Sequence, residues 1–180
     1  MEVIETGISD LVVLVPKVFG DARGYFTESF NADVMEKAGL PTSFVQDNQS
    51  FSKYGTIRGL HFQTGEFAQT KLLRCTQGRI LDVAVDIRKD SPTFGKYFAV
   101  ELTDENFKQL LVPAGFAHGF AVLSETAIVQ YKCDKLYSPE NESGLLFSDP
   151  DLAIDWQIPE DKRILSEKDQ KLPLLKDISP

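Results

Sequence analysis

The stretch Arg79-Ile80-Leu81-Asp82-Val83-Ala84-Val85-Asp86-Ile87 decides the fold class. Leu81, Val83, Val85 and Ile87 alternate with Asp82, Ala84 and Asp86, the two-residue period of a β-strand with one face buried. Working outward, similar runs stand at 10–15, 25–29, 44–50, 56–63, 71–76, 96–102, 109–112, 119–122 and 126–134. Gly20, Gly24, Gly55, Gly65, Gly78, Pro92, Gly95, Pro113 and Gly115 fall between or beside them, the punctuation of an all-β sandwich or barrel. The clearest helix is 32–38, with Asn31 placed to accept at the N-cap, Gly39 at C′ and Pro41 beyond. After Pro139 the alternation fades. A loop-rich tail with Trp156 and the apolar stretch 173–175 is expected to wrap over the strands.

At 180 residues, 42% hydrophobic and 26% charged, the chain fits one globular domain spanning 1–180, and no repeat or linker divides it. A net charge of -8 leaves no global positive field for nucleic acid or an anionic membrane. An anionic small ligand stays open, because a few arginines in a cleft can neutralise a diphosphate. The apolar run 11–15 is too short to cross a bilayer, and Glu2 and Glu5 sit where a signal peptide would be positive. Cys75 and Cys133 lie in strand-like segments without CxxC spacing, which reads as reduced, buried thiols in a cytoplasmic protein.

Only two histidines occur, in Arg58-Gly59-Leu60-His61-Phe62-Gln63 and in Pro113-Ala114-Gly115-Phe116-Ala117-His118-Gly119. Each reads either as part of a site or as a half-buried residue satisfied by hydrogen bonds. The Pro-x-Gly-x-x-His segment resembles the second motif of the cupin jelly rolls, many of which hold a metal. Where such a cupin carries His-x-His, however, this chain has His61-Phe62-Gln63, so a facial metal triad lacks an imidazole and no metal is expected. Without a metal, a neutral imidazole is the natural proton acceptor near neutral pH, which makes His61 a candidate base. A base of this kind needs an acidic partner to fix its tautomer and balance its charge. Asp169 is one candidate in the tail, although Ser166-x-x-Asp169 also reads, and on the residues alone reads better, as a capping box for a short helical turn.

Taken together, Lys17-Val18-Phe19-Gly20-Asp21-Ala22-Arg23-Gly24, Phe44-Val45-Gln46-Asp47-Asn48, Arg58 to Gln63 and Asp82 to Arg88 closely resemble the dTDP-4-dehydrorhamnose 3,5-epimerases. Ser91-Pro92-Thr93-Phe94-Gly95, Pro113 to Phe120, Tyr131-Lys132-Cys133, Tyr137-Ser138-Pro139 and Leu165 to Asp169 continue the resemblance in order and spacing. It implies a cupin-like jelly roll without cofactor, acting on a dTDP-linked 4-keto-6-deoxy sugar at C3 and C5. It further implies His61 as base, Asp169 as its partner, Lys71 as stabiliser of the enolate and Tyr131 as acid on the other sugar face. Arg58 and His118 would contact sugar or phosphate, Gln46 and Asn48 the sugar or nucleotide, and Glu142 the nucleotide side of the cleft, with Lys168 also in substrate binding. Arg23, Tyr25 and Glu28 match residues lent to a neighbouring subunit, hence a homodimer. A C3-only epimerase, a non-catalytic sugar-binding module and a metal-dependent cupin oxygenase are the competing readings.

Two geometric expectations follow from the residues alone. Positions 61 and 71 are symmetric about Glu66 and would face each other if their segments formed an antiparallel pair around that loop. Strict alternation puts Arg58 on the opposite face from His61, so Arg58 reaches the site only if Gly59 allows a bulge.

Overall fold

The structure, a computed structural model, describes residues 1–178. In chain order its strands are β1 (Glu2–Glu5), β2 (Val12–Val15), β3 (Val18–Asp21), β4 (Gly24–Thr27), β5 (Gln46–Lys53), β6 (Ile57–Gln63), β7 (Lys71–Gln77), β8 (Arg79–Asp86), β9 (Tyr97–Thr103), β10 (Gln109–Val112), β11 (Phe116–Val122), β12 (Thr126–Cys133) and β13 (Glu142–Gly144). One sheet runs β1-β2-β10-β7-β12-β5, a second runs β13-β6-β11-β8-β9, and β3 pairs only with β4. This is a cupin-like jelly roll. Every strand expected from alternation is present. β1, β3 and β13 are additional: each is three or four residues long, β1 and β3 exposed throughout and β13 half-buried to buried, and all are too short for a period to declare itself. β11 starts at Phe116 rather than at Gly119, because the turn is made by Pro113-Ala114-Gly115 and Gly119 lies within the strand.

Three apolar layers hold the elements together. Between the sheets, Val13, Leu73, Cys75, Ile80, Ala84, Leu110, Phe116, Phe120, Val122 and Val129 form the central core. Outside the six-stranded sheet, Met35 of helix α1 (Ala32–Lys37) packs on Val12, Leu14, Leu72 and Leu111. Asn31 Oδ1 accepts from Val34 N at 3.3 Å to cap that helix. Outside the five-stranded sheet, the tail lays Leu152, Trp156 and Ile158 over Leu81, Val83, Val85 and Ala117. Trp156 donates its indole N–H to Phe147 O at 2.7 Å, and emptying its place would cost about 3–5 kcal/mol. The tail therefore wraps the strands as its composition suggests.

The tail changes the reading of the stretch that decided the fold. β8 is buried on both faces from Ile80 to Asp86: its apolar row lies under the tail, and its Asp82-Ala84 row looks into the space between the sheets. The alternation identifies a strand correctly, but the polar row is interior. The expected pairing of 56–63 with 71–76 is also corrected. β6 and β7 belong to different sheets, because the linker with its 3₁₀ turn at Gly65–Phe67 carries the chain across the sandwich. Positions 61 and 71 still meet, but across the interior.

Candidate active site

The site begins at an irregularity in β6. In its pairing with β11, His61 lies opposite His118 and Arg58 opposite Phe120, so two residues of β6, Gly59 and Leu60, stand opposite Gly119 alone and the strand bulges at Gly59. Gly59 has φ +111, and a Cβ there would come within 2.6 Å of His118 O and 2.7 Å of Gly119 Cα. A Cβ on Gly119 would in turn meet Arg58 O at 2.5 Å. Only glycine fits either position. The bulge turns Arg58 and His61 to the same side, the condition that strict alternation had required.

Arg58, His61, Lys71, His118, Tyr131, Lys168 and Asp169 line one cavity of about 710 Å³, a volume in the range of small-molecule sites. His61 Nε2 donates to Asp169 Oδ1 at 2.8 Å across 108 residues of sequence. His118 Nε2 donates to Asp82 Oδ1 at 2.9 Å, and Arg58 Nε donates to Ser52 Oγ at 3.0 Å. Asp169 arrives on the tail, which a parallel bridge between Thr56 and Ile164 staples to the sheet. Of the capping box at Ser166-x-x-Asp169 only the backbone half forms: Asp169 N donates to Ser166 Oγ at 3.0 Å, while the carboxylate turns to His61 instead of back to Ser166 N. A smaller depression of about 360 Å³ beside the cavity shares Tyr131 but contains no imidazole.

The remaining sequence candidates stand at the rim or elsewhere. Glu142 forms an ion pair with Lys168 and accepts from the Tyr137 hydroxyl at 2.7 Å. Burial would raise the Glu142 carboxyl, but the Lys168 ammonium and the Tyr137 hydroxyl outweigh it and hold it below the usual range. Gln46 and Asn48, on edge strand β5, are bonded to each other at 3.0 Å, and Gln46 Oε1 accepts from Tyr137 N at 2.9 Å. Neither lines the large cavity. Arg23 pairs with Asp21, Tyr25 packs edge-on against Phe107 at 4.8 Å, and Glu28 accepts from Asn31 Nδ2 at 2.9 Å. These three are away from the cavity within one chain. Gln63, where a metal cupin carries histidine, spends its amide on the loops: Nε2 donates to Phe67 O at 2.8 Å and Leu136 O at 3.3 Å, and Oε1 accepts from Ser138 N at 2.7 Å. Among the described residues, no group of three or more His, Cys, Asp or Glu is placed to hold a metal ion.

Burial dominates the electrostatics of the inner wall. It pushes the Lys71 ammonium down, the Tyr131 phenol up and the Asp82 carboxyl up. Asp82 is the functional candidate that reading the sequence missed, because a strand period separates two faces without saying which is wet. No short-range signal joined Asp82 to His118, because the pairing of β8 with β11 is a feature of the fold.

Fold and cavity together define a class: a jelly-roll enzyme whose charged and titratable side chains converge from both sheets for acid–base chemistry on a small polar substrate. Its relatives give that class a name. The family model described as dTDP-4-dehydrorhamnose 3,5-epimerase matches residues 5–177. The dTDP-4-dehydrorhamnose 3,5-epimerase of Escherichia coli strain K12 is 53% identical over 174 residues, covering 96% of this chain and 93% of that protein. The crystal structure of the enzyme of that name from Elizabethkingia anophelis NUHP1 superposes with a TM-score of 0.94 at 53% identity, covering 98% and 97%. A dTDP-6-deoxy-D-glucose-3,5-epimerase from Legionella pneumophila Philadelphia 1, in complex with dTDP-4-keto-L-rhamnose, superposes at 0.95 with 47% identity, covering 99% and 94%. The chain belongs to the dTDP-4-dehydrorhamnose 3,5-epimerase family, and so to the isomerases. Among its described residues, no helix is long and apolar enough to cross a membrane.

Proposed function

We propose that this protein, acting as one domain over 1–180, converts dTDP-4-dehydro-6-deoxy-D-glucose to dTDP-4-dehydro-L-rhamnose by inverting C3 and C5 through enolates. One observation carries the reading. His61, with Asp169 behind it at 2.8 Å, stands on the five-stranded sheet, whereas Lys71 and Tyr131 stand on the six-stranded sheet across the same cavity. A sugar ring held between the sheets meets a base on one face and a phenol on the other, which is what inversion requires.

A proton next to a ketone is less acidic than imidazolium by ten or more pKa units, on the order of 14 kcal/mol. General-base placement supplies roughly 10² to 10⁴ of the rate. A donor aimed at the developing oxyanion supplies about 3–4 kcal/mol more, and the Lys71 ammonium is the buried cation available for that. His61 takes the proton, its charge balanced by Asp169, and Tyr131 returns one from the opposite face. Because C3 and C5 flank the same carbonyl, one site serves both centres after a small repositioning of the ring. Arg58, His118 and Lys168 bind the sugar and diphosphate, Glu142 the nucleotide side, and Gln46 and Asn48 the nucleotide or sugar. No redox or metal cofactor takes part, and the two buried free thiols, Cys75 and Cys133, suit a cytoplasmic setting.

The working unit is a homodimer. The β3–β4 ribbon pairs with neither large sheet and exposes Phe19, Tyr25 and Phe26 at 57%, 61% and 64%. An isolated hairpin is marginal in water, and exposed aromatics at that density suit an interface. We assign this ribbon, with Arg23, Tyr25 and Glu28, to the cleft of the neighbouring subunit.

The test is incubation of dTDP-4-keto-6-deoxyglucose with the protein in deuterated water, followed by proton NMR. Deuterium at C3 and C5 is expected. Label at C3 alone would make the protein a 3-epimerase, and no label with substrate bound would favour a binding module.

A further inference from the structure

One buried acid beside the cavity has no place in the mechanism. Asp82 has no exposed surface. Its Oδ1 accepts from His118, and its Oδ2 has no hydrogen-bond partner among the described residues. An orphaned oxygen of this kind is unfavourable and uncommon in a folded protein, so its persistence needs a reason. Asp82 points into the space between the sheets from β8, while Lys71 enters the same space from β7, in the interior row of Leu73 and Cys75. Both His118 and Lys71 reach the cavity wall.

We infer that Asp82 is a positioning residue for the epimerisation: its carboxylate keeps Lys71 cationic inside the protein and holds His118 in place, so that both face the oxygen on which charge develops. The inference rests on the epimerase reading and adds to it a group that touches neither substrate nor reacting atoms.

The surroundings of Lys71 single out Asp82. The groups whose charge acts on the ammonium are Cys133 on β12, Asp82 on β8 and Glu142 on β13. Burial pushes the Cys133 thiol up, away from its charged form. Glu142 is already engaged by Lys168 and Tyr137. That leaves Asp82 with an unengaged oxygen, facing His118 on β11 and Lys71 on β7. Burial drives Asp82 and Lys71 each toward neutrality, and each is a cause that holds the other charged. Removing the carboxylate charge would leave the desolvation of Lys71 less opposed, so the amine would lose its proton at lower pH.

Asp82→Asn is the direct test. Asparagine can offer its amide oxygen to His118 and place its amino group where Oδ2 already lacks a partner, so shape and hydrogen bonding are kept while the charge goes. The readout is the pH profile, from 6 to 10, of deuterium uptake at C3 and C5 of dTDP-4-keto-6-deoxyglucose. This exchange needs base and enolate stabiliser but not the Tyr131 proton, which removes the phenol from the alkaline limb. That limb should move to lower pH by about one unit or more, so exchange at pH 9 falls roughly tenfold against the parent while near pH 6.5 it falls by less than about threefold. The KM should change by less than about threefold. A uniform loss with the limb unmoved would make Asp82 merely structural and overturn the inference. Should the Asn variant not fold, Asp82→Ser, with room for a water at His118, carries the same expectation. If the parent itself exchanges no label, the epimerase reading fails; if the parent exchanges and the variant's limb stays put, only the present inference fails.

Discussion

Replacing Asp169 with Asn should silence the base without disturbing the fold. The carboxylate sits at 4% exposure, with Oδ1 on His61 Nε2 at 2.8 Å and Oδ2 near Gly59 N at 3.5 Å. A charge-assisted hydrogen bond is worth about 1.5–3 kcal/mol, so loss of the charge that balances the imidazolium alone lowers proton abstraction roughly 10- to 150-fold. The backbone donor at Gly59 adds a second effect. It draws the new amide oxygen toward itself and leaves the NH₂ pointing at His61, which favours the tautomer whose proton lies on the cavity-facing nitrogen. A wrong tautomer in a site of this logic costs up to about 10⁴. Deuterium uptake under single-turnover conditions should therefore fall between those limits. The Ser166 contact involves the Asp169 backbone and survives, so melting should move by less than about 4 °C. Uptake within about threefold of the parent would refute Asp169 as the partner of the base.

Three further outcomes are expected. Tyr131→Phe should keep exchange of the sugar C–H protons with solvent but lose most inversion, and NMR of the product separates the two; inversion at the parent rate would disprove the acid role. Asp86 is buried and accepts from Arg88, Ser91 and Thr93; burial alone would raise its carboxyl, but those bonds outweigh it and hold it well below the usual range. A depressed carboxyl contributes stability above its unfolded pKa of about 3.9, and that contribution is lost as pH falls toward the folded value. Asp86→Asn should then cost roughly 2 kcal/mol, or about 4–8 °C, at pH 7 and distinctly less at pH 3; equal losses at both would contradict the assignment. Light scattering should give twice the chain mass, and Phe26→Asp should weaken both association and activity by about tenfold or more; a fully active monomer would refute the shared cleft.

Local chemistry made much of the fold legible. The alternation in β8 and β12, the Asn31 cap and the turn glycines all act over a few residues, and a pattern of that range survives in the sequence. The side of a strand that faces water is a different matter, since it depends on what covers it. Asp82 looked like part of a wet face until the tail and the opposite sheet enclosed β8. The spacing of His61 and Lys71 suggested a hairpin, but the linker between them crosses the sandwich, and no short-range signal distinguishes the two paths. Asp169 meets His61 from 108 residues away; there the motif resemblance supplied what periodicity could not. Arg58 lay between these cases, because its position turned on whether Gly59 bulges, and the residue type alone posed that question correctly.

At the crossing of β6 and β11 two glycines press main chain against main chain, with each one's missing Cβ occupying the other strand's space. This has a genetic consequence. A clash between side chains can be relieved by trimming either partner, so core variants commonly find compensating changes nearby. Here neither residue has anything left to trim. A lesion at Gly59 or Gly119 can be suppressed only by moving one strand off the other, and those strands carry His61 and His118. A suppressor screen started from either lesion should therefore return reversions to glycine and little else.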